Sequence, residues 1–89
     1  MLGLDKQARL NRQLRKAAKG GDIAGMEKAL QAGAELEARD LLNGMSALNK
    51  AAWHGQVESV RYLLEKGANT ETKDRWSETP LANAIRNGS

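Results

Sequence analysis

An all-α solenoid of stacked helix-turn-helix units is predicted by three features of the sequence. A block of about 34 residues recurs along the chain. Apolar residues within each block follow helical rather than strand spacing. Glycines return at the points where each helix has to stop. Length bounds the outcome: 89 residues make one small domain, which buries only about two-thirds of the surface its unfolded chain exposes.

The recurrence can be read position by position. Leu48, Ala51, Ala52, Gly55, Val60, Leu64, Gly67, Ala68 and Asp74 stand 34 residues after Leu14, Ala17, Ala18, Gly21, Met26, Leu30, Gly33, Ala34 and Asp40, and every position matches in kind. Leu48, Ala51 and Gly55 return again 33 residues later as Leu81, Ala84 and Gly88. The step shortens because the turn after Asp40 (LLNGMSAL) is one residue longer than the turn after Asp74 (RWSETPL).

The elements follow in order. The run from Asp5 to Lys19 predicts a helix. At about 100° per residue, Leu10, Leu14, Ala17 and Ala18 fall on one face, with Arg9, Arg12, Arg15, Lys16 and Lys19 on the opposite half. Asp5 near the start favours the helix dipole. Gly21 then breaks the chain. Ser46 and Thr79 are N-cap residues, each able to accept a backbone N–H on its hydroxyl. Pro80 suits the first helical position, where its missing donor costs nothing. The alanines of each first helix let a neighbouring helix approach closely. Val57, Val60, Leu63 and Leu64 form the apolar stripe of an amphipathic second helix, ended by Gly67. Met26 stands in the same place as Val60 and is assigned to the core. Tyr62 is placed on the outer face of its helix. Asn43-Gly44 is a tight-turn signal that lengthens one turn. A unit of this size cannot bury its own stripe and must stack on a copy of itself.

These residues resemble the ankyrin repeat family. The resemblance rests on Thr79-Pro80-Leu81, Ala51-Ala52, Gly55, Leu63-Leu64, Gly67-Ala68 and the aspartates 40 and 74, and it covers about residues 10–89. The stretch DLLNGMSALNKAAWHGQVESVRYLLEKGANTETKD carries the whole motif. Tetratricopeptide repeats share the period, but their tryptophan–glycine–tyrosine pattern is missing. The resemblance implies a short ankyrin-type solenoid of about two and a half repeats: a capping repeat over 5–40, a full repeat over 40–73 and a partial repeat over 74–89. Two departures bear on packing. The fourth position of the family's TPLH tetrapeptide is Asn49 in one copy and Ala82 in the next; Asn49 can replace one of the histidine's inter-repeat hydrogen bonds, and Ala82 cannot. The finger-turn glycine of the last copy is Ser77.

Composition excludes several function classes. There is no cysteine, so neither a disulfide framework nor a thiolate metal site is available, and His54 is the single histidine. A charged fraction of 28% beside 40% hydrophobic residues fits a folded domain rather than a disordered tail. No apolar run reaches the roughly 20 residues of a membrane span. No secretory signal is visible, so an intracellular, cytoplasmic setting is expected. Neither GxxxxGK[ST] nor GxGxxG occurs. Carboxylates are spread singly, which argues against a calcium loop. Asn87-Gly88-Ser89 matches a glycosylation sequon, read as accidental. No catalysis, cofactor or metal is expected.

Surface is what remains. Carried over from the family, partner-facing positions are the finger turns and the exposed side of the first helices: Leu41, Leu42, Met45, Arg75, Trp76 and Glu78 on the fingers, Lys19, Trp53, His54, Arg86 and Asn87 on the helices. Both tryptophans fall on this list with three aliphatic residues, and exposed apolar clusters mark interaction sites. Tryptophan and arginine are the residues most enriched at binding hot spots. The expected function is protein–protein interaction through this concave surface. Trp53 and Trp76 would be anchors, Leu41, Leu42 and Met45 an apolar rim, and Arg75 and Arg86 partners for acidic groups.

Two rival readings remain. The third copy stops before its second helix, leaving Leu81 and Ile85 with one neighbour each, a route to homo-oligomers. The first 20 residues carry net charge +5 while the rest carries −2. That basic helix reads first as a polar cap, and second as a surface for nucleic acid or an acidic partner.

Overall fold

A computed structural model describes residues 2–88, with side chains over 6–87. The expectation for Asp5 lies outside the described side chains. Five helices follow one another: α1 (Leu2–Gly20), α2 (Ile23–Gln31), α3 (Ala47–Trp53), α4 (Val57–Glu65) and α5 (Pro80–Asn83). α5 runs on into a π-helical turn over Ala84–Gly88. There is no strand among the described residues. The described residues therefore form the all-helical stack that the recurrence predicts.

Local chemistry sets each boundary. The left-handed glycines Gly21 (φ +74°) and Gly55 (φ +67°) end α1 and the turn after α3 at equivalent places, a backbone that side chains with a Cβ rarely adopt. The Asp22 carboxylate accepts the Gly25 N–H at 2.9 Å and caps α2. Ser46 and Asn49 cap α3 reciprocally: Asn49 N–H donates to Ser46 Oγ at 3.2 Å, and Ser46 N–H donates to Asn49 Oδ1 at 3.0 Å. The Thr79 hydroxyl accepts the Ala82 N–H at 3.2 Å, with Pro80 at the first helical position of α5. Each such cap contributes about 1 kcal/mol.

Packing runs along the stack. α1 lies against α2 and α3, and α3 lies against α4, α5 and the π-helical turn. The core joins Leu14, Ala17 and Ala18 of α1 to Met26 and Ala29 of α2, Ala47, Leu48 and Ala51 of α3, and Leu63 of α4. Alanine at the crossing points keeps the axes close. Leu14, Met26 and Leu63 are almost wholly buried, which stabilises by about 1.5–3 kcal/mol each. Equivalent leucines show the stack's direction: Leu14 is 1% exposed, Leu48 3% and Leu81 71%. Each layer covers the one before it, and the last is open.

Polar groups also couple the layers. Asn49 Nδ2 donates to Thr72 O at 3.1 Å and to Asn83 Oδ1 at 2.8 Å. Asn83 Nδ2 in turn donates to Asp74 Oδ2 at 3.0 Å. Asn49 thus makes the one inter-repeat bond expected of it, to Asn83. Asn83, itself fully buried, supplies the link that Ala82 cannot. At the other end, Asn11 of α1 accepts the Glu35 N–H on Oδ1 at 2.8 Å, and Gln7 Nε2 donates to Gly33 O at 3.0 Å, pinning the turn after α2.

Tyr62 departs from its expected outer position. It is half-buried against the core, with Lys66 Nζ 5.4 Å from its ring centroid. Spacing alone put it one step off the Val60–Leu63 stripe. A tyrosine is long enough for its ring to fold back beneath that stripe.

Candidate functional site

The two finger turns are built alike and zipped together. Asp40 N–H donates to Met45 O at 2.8 Å in the first, and Asp74 N–H to Glu78 O at 2.9 Å in the second. Both aspartates also accept backbone N–H groups on their carboxylates, Asp40 from Leu42 at 2.7 Å and Asp74 from Trp76 at 2.9 Å and Glu78 at 3.0 Å. Between the fingers, Arg75 N–H donates to Asn43 O at 2.9 Å and Arg75 Nη1 to Leu42 O at 2.8 Å. Arg39 Nε donates to Gly44 O at 2.9 Å, and its Nη2 bonds to Lys73 O. A Cβ on Gly44 would stand 3.0 Å from Arg75 N, so glycine is what allows the close approach.

Beside the fingers runs a groove of 690 Å³. Trp53 and His54 from the end of α3, Trp76 and Glu78 from the second finger, and Lys19 from the end of α1 line it. Met45, Lys50 and Arg86 complete the wall. A second hollow of 660 Å³ adjoins it, lined by Arg12, Arg15, Lys16 and Lys19 of α1 and by Leu41 and Leu42 of the first finger. Lys19 and Lys50 line both. Of the eleven positions singled out from the sequence, the groove gathers Lys19, Met45, Trp53, His54, Trp76, Glu78 and Arg86. Leu41 and Leu42 sit in the adjoining hollow, and Arg75 and Asn87 line neither.

Exposure separates the free groups from the committed ones. Leu41 (101%), Leu42 (79%) and Trp76 (61%) stand in solvent. Trp53 is half-buried and His54 exposed. Met45 is a correction: at 6% exposure it is part of the groove's floor and not of an apolar rim. The extra residue in its turn brings it back under the finger, where Asn43 Oδ1 accepts its N–H at 3.0 Å. The arginines expected to meet acidic groups are engaged within the chain. Arg75 ties the fingers and lies 5.4 Å from the Trp76 ring centroid. Arg86 pairs with Glu78 at 2.6 Å. Asn87 Nδ2 donates to Trp53 O. Sequence spacing carried no sign of these pairings, which cross 8 to 34 residues.

Charge in the groove is predominantly positive. Glu78 pairs with Arg86 inside it, and Lys50 Nζ pairs at 3.0 Å with Asp40 of the first finger. Burial raises the Asp40 carboxyl, but the Leu42 N–H, Lys50 and Arg15 together hold it below its ordinary value. Asp74 behaves the same way, with burial overcome by the Glu78 N–H, Asn83 and the Trp76 N–H. The His54 imidazole is pushed below its usual 6.5 by burial and then by Lys19 and Lys50. It is therefore neutral at pH 7. Among the described residues no group of three histidines, cysteines or carboxylates gathers to hold a metal. No helix among them is long and apolar enough to cross a membrane.

Comparison with known proteins agrees with this architecture. A family model for ankyrin repeats (three copies) matches residues 14–89, and the chain belongs to the ankyrin repeat family. Ankyrin repeat domain-containing protein 40 of Mus musculus is 35% identical over 83 residues, 91% of this chain and 22% of that protein. Serine/threonine-protein kinase 12 of Arabidopsis thaliana is 38% identical over 65 residues, 73% of this chain and 14% of the kinase. L-asparaginase of Dirofilaria immitis is 37% identical over 70 residues, 79% of this chain and 12% of the enzyme. The chain thus spans less than a quarter of the length of each of these relatives. Ankyrin repeats are generally protein–protein interaction modules and generally non-catalytic. The kinase and asparaginase matches are partial, confined to the ankyrin region, and support no catalysis here.

Proposed function

We propose that the chain is a rigid, non-catalytic cytoplasmic platform that binds another protein in the groove between the fingers and α3. In this reading residues 5–40 are a capping repeat, 40–73 a full repeat and 74–89 a partial one. One observation carries it: Trp76 stands 61% exposed on a finger held in place by Asp74 and Arg75. A large apolar surface is thereby presented at little entropic cost. Trp53 is the second anchor, Leu41 and Leu42 are the apolar rim, and Met45 supports them from beneath. Arg75 and Arg86 contribute by fixing the fingers and Glu78.

Trp53→Ala and Trp76→Ala should each weaken partner binding by about 1–3 kcal/mol. The decisive comparison is affinity capture from a lysate with the intact chain and with the double variant, followed by mass spectrometry. A partner held by the first and lost by the second supports the platform. Identical captures by two equally folded proteins would refute it.

A second reading is favoured by Leu81 and Ile85, 71% and 69% exposed. Leu81 lines an apolar hollow of 540 Å³ between α4 and α5 that includes Val57, Val60 and Leu64. In this reading a second copy of the chain covers that end.

A further inference from the structure

We propose that the segment recognised in the groove is acidic: an extended peptide whose carboxylates lie over α1 while an apolar side chain seats among Leu41, Leu42 and Trp76. This deepens the platform reading and rests on it.

Charge balance is the first argument. Three carboxylates belong to the fingers, and all are occupied: Asp40 by Lys50 at 3.0 Å, Glu78 by Arg86 at 2.6 Å, and Asp74 by Asn83 Nδ2 at 3.0 Å and by backbone N–H groups. Among the described residues no carboxylate lies within 4.0 Å of Arg12, Arg15, Lys16 or Lys19. These four line one continuous hollow with the two finger leucines. The chain's excess positive charge is therefore concentrated on this wall, since residues beyond 20 carry net −2. Cations collected along one cleft focus the field and raise the local concentration of anions.

Geometry is the second argument. Positions 12, 15, 16 and 19 are helical neighbours, about 5.4 Å apart along the axis per turn. Side chains on one side of an extended peptide recur every ~6.6 Å. Long lysine and arginine stems absorb that difference. Lys19 lies on the wall shared with the tryptophan groove, so one segment can touch both cations and anchors. His54 is lowered first by burial and then by Lys19 and Lys50, and Arg15 is lowered by burial, with Asp40 opposing and Arg12 adding to the shift. A nucleic-acid strand fits less well. The hollow that holds these cations is lined by aliphatic Leu41 and Leu42 and by no aromatic side chain on which bases could stack.

The probe is a short synthetic peptide of alternating glutamate and serine with one leucine, titrated while tryptophan emission is followed. Saturable binding that weakens steadily with added sodium chloride is expected. A glutamine-for-glutamate peptide should bind at least about tenfold more weakly. Arg12→Gln with Lys19→Gln, both on exposed side chains, should reproduce about the same loss. Equal binding of the neutral peptide, absence of salt dependence on the unaltered chain, or tighter binding of an oligothymidylate of matched charge would each overturn the inference. The platform has its own fate: a captured partner lost with Trp53→Ala/Trp76→Ala, yet not displaced by the acidic peptide, leaves the platform standing and the acidic class rejected.

Discussion

Ser77 holds a left-handed backbone (φ +63°) at the finger position where the preceding copy has Gly44 (φ +70°). A residue with a Cβ costs about 1–2 kcal/mol in that region, partly offset because glycine loses more entropy on folding. Ser77→Gly should therefore stabilise the chain by about 0.5–1 kcal/mol in denaturant titration; a loss of stability would show that the Ser77 side chain has a structural role. Single titratable residues also set the pH response. Asp40 and Asp74 have folded pKa values below their unfolded ones. Their stabilisation is complete above the ordinary carboxylate range, near pH 4, and fades as pH falls through the folded values. His54 acts with the same slope but higher. Its folded pKa is depressed, so the unfolded chain takes up the proton first and stability declines below about pH 6.5. His54→Gln should flatten thermal stability between pH 7 and 5 (a window set by the ordinary histidine value) while leaving the acid limb of the two aspartates in place.

At the scale of elements, α3 is the hub, and its Asn49 is the residue that makes it one. The amide closes the cap with Ser46 and reaches Thr72 and Asn83, and Asn83 reaches Asp74. Replacing Asn49 by leucine takes this partner from the part-buried Thr72 carbonyl, the buried Asn83 Oδ1 and the Ser46 N–H, half of the α3 cap. The expected cost is about 2–4 kcal/mol. A double-mutant cycle with Asn83→Ala should return a coupling of about 1 kcal/mol or more, and additive losses would show that the two amides act independently. How far this could be read in the sequence depends on what sets each feature. Leu14, Leu48, Gly21, Gly55, Ser46 and Thr79 were legible because a repeat imposes the same local demand at a fixed interval. The candidate groove was legible as a set of family positions. Whether each of its residues was free was not. Met45 is buried by the extra residue of its turn, whereas Arg75 and Arg86 stay exposed but engaged, Arg75 by a bond to the neighbouring finger and Arg86 by Glu78. Asn83 and Asn11 were missed for the converse reason. Each is an isolated polar residue whose purpose is visible only once its distant partner is in place.

The whole molecule is a stack whose layers are covered in turn, and three leucines at equivalent places measure that directly. Leu14, Leu48 and Leu81 are 1%, 3% and 71% exposed. Truncation to alanine should cost about 2–5 kcal/mol at the first two, where a cavity opens in a packed interior. At Leu81 it should cost no more than about 0.5 kcal/mol if the chain acts alone, since exposed positions contribute little. The same variant therefore separates the solitary chain from the self-covering one. A second copy seated on the hollow lined by Leu81, Val57 and Leu64, and covering the exposed Ile85, would make stability depend on protein concentration. Leu81→Ala and Ile85→Glu would then lower the melting temperature at high concentration and leave it unchanged at low. Sedimentation of the unaltered chain supplies the independent reading. Association that Ile85→Glu abolishes, with α-helical content preserved, assigns that open layer to a second copy. A strict monomer at every concentration leaves the finger groove as the interaction surface of this chain.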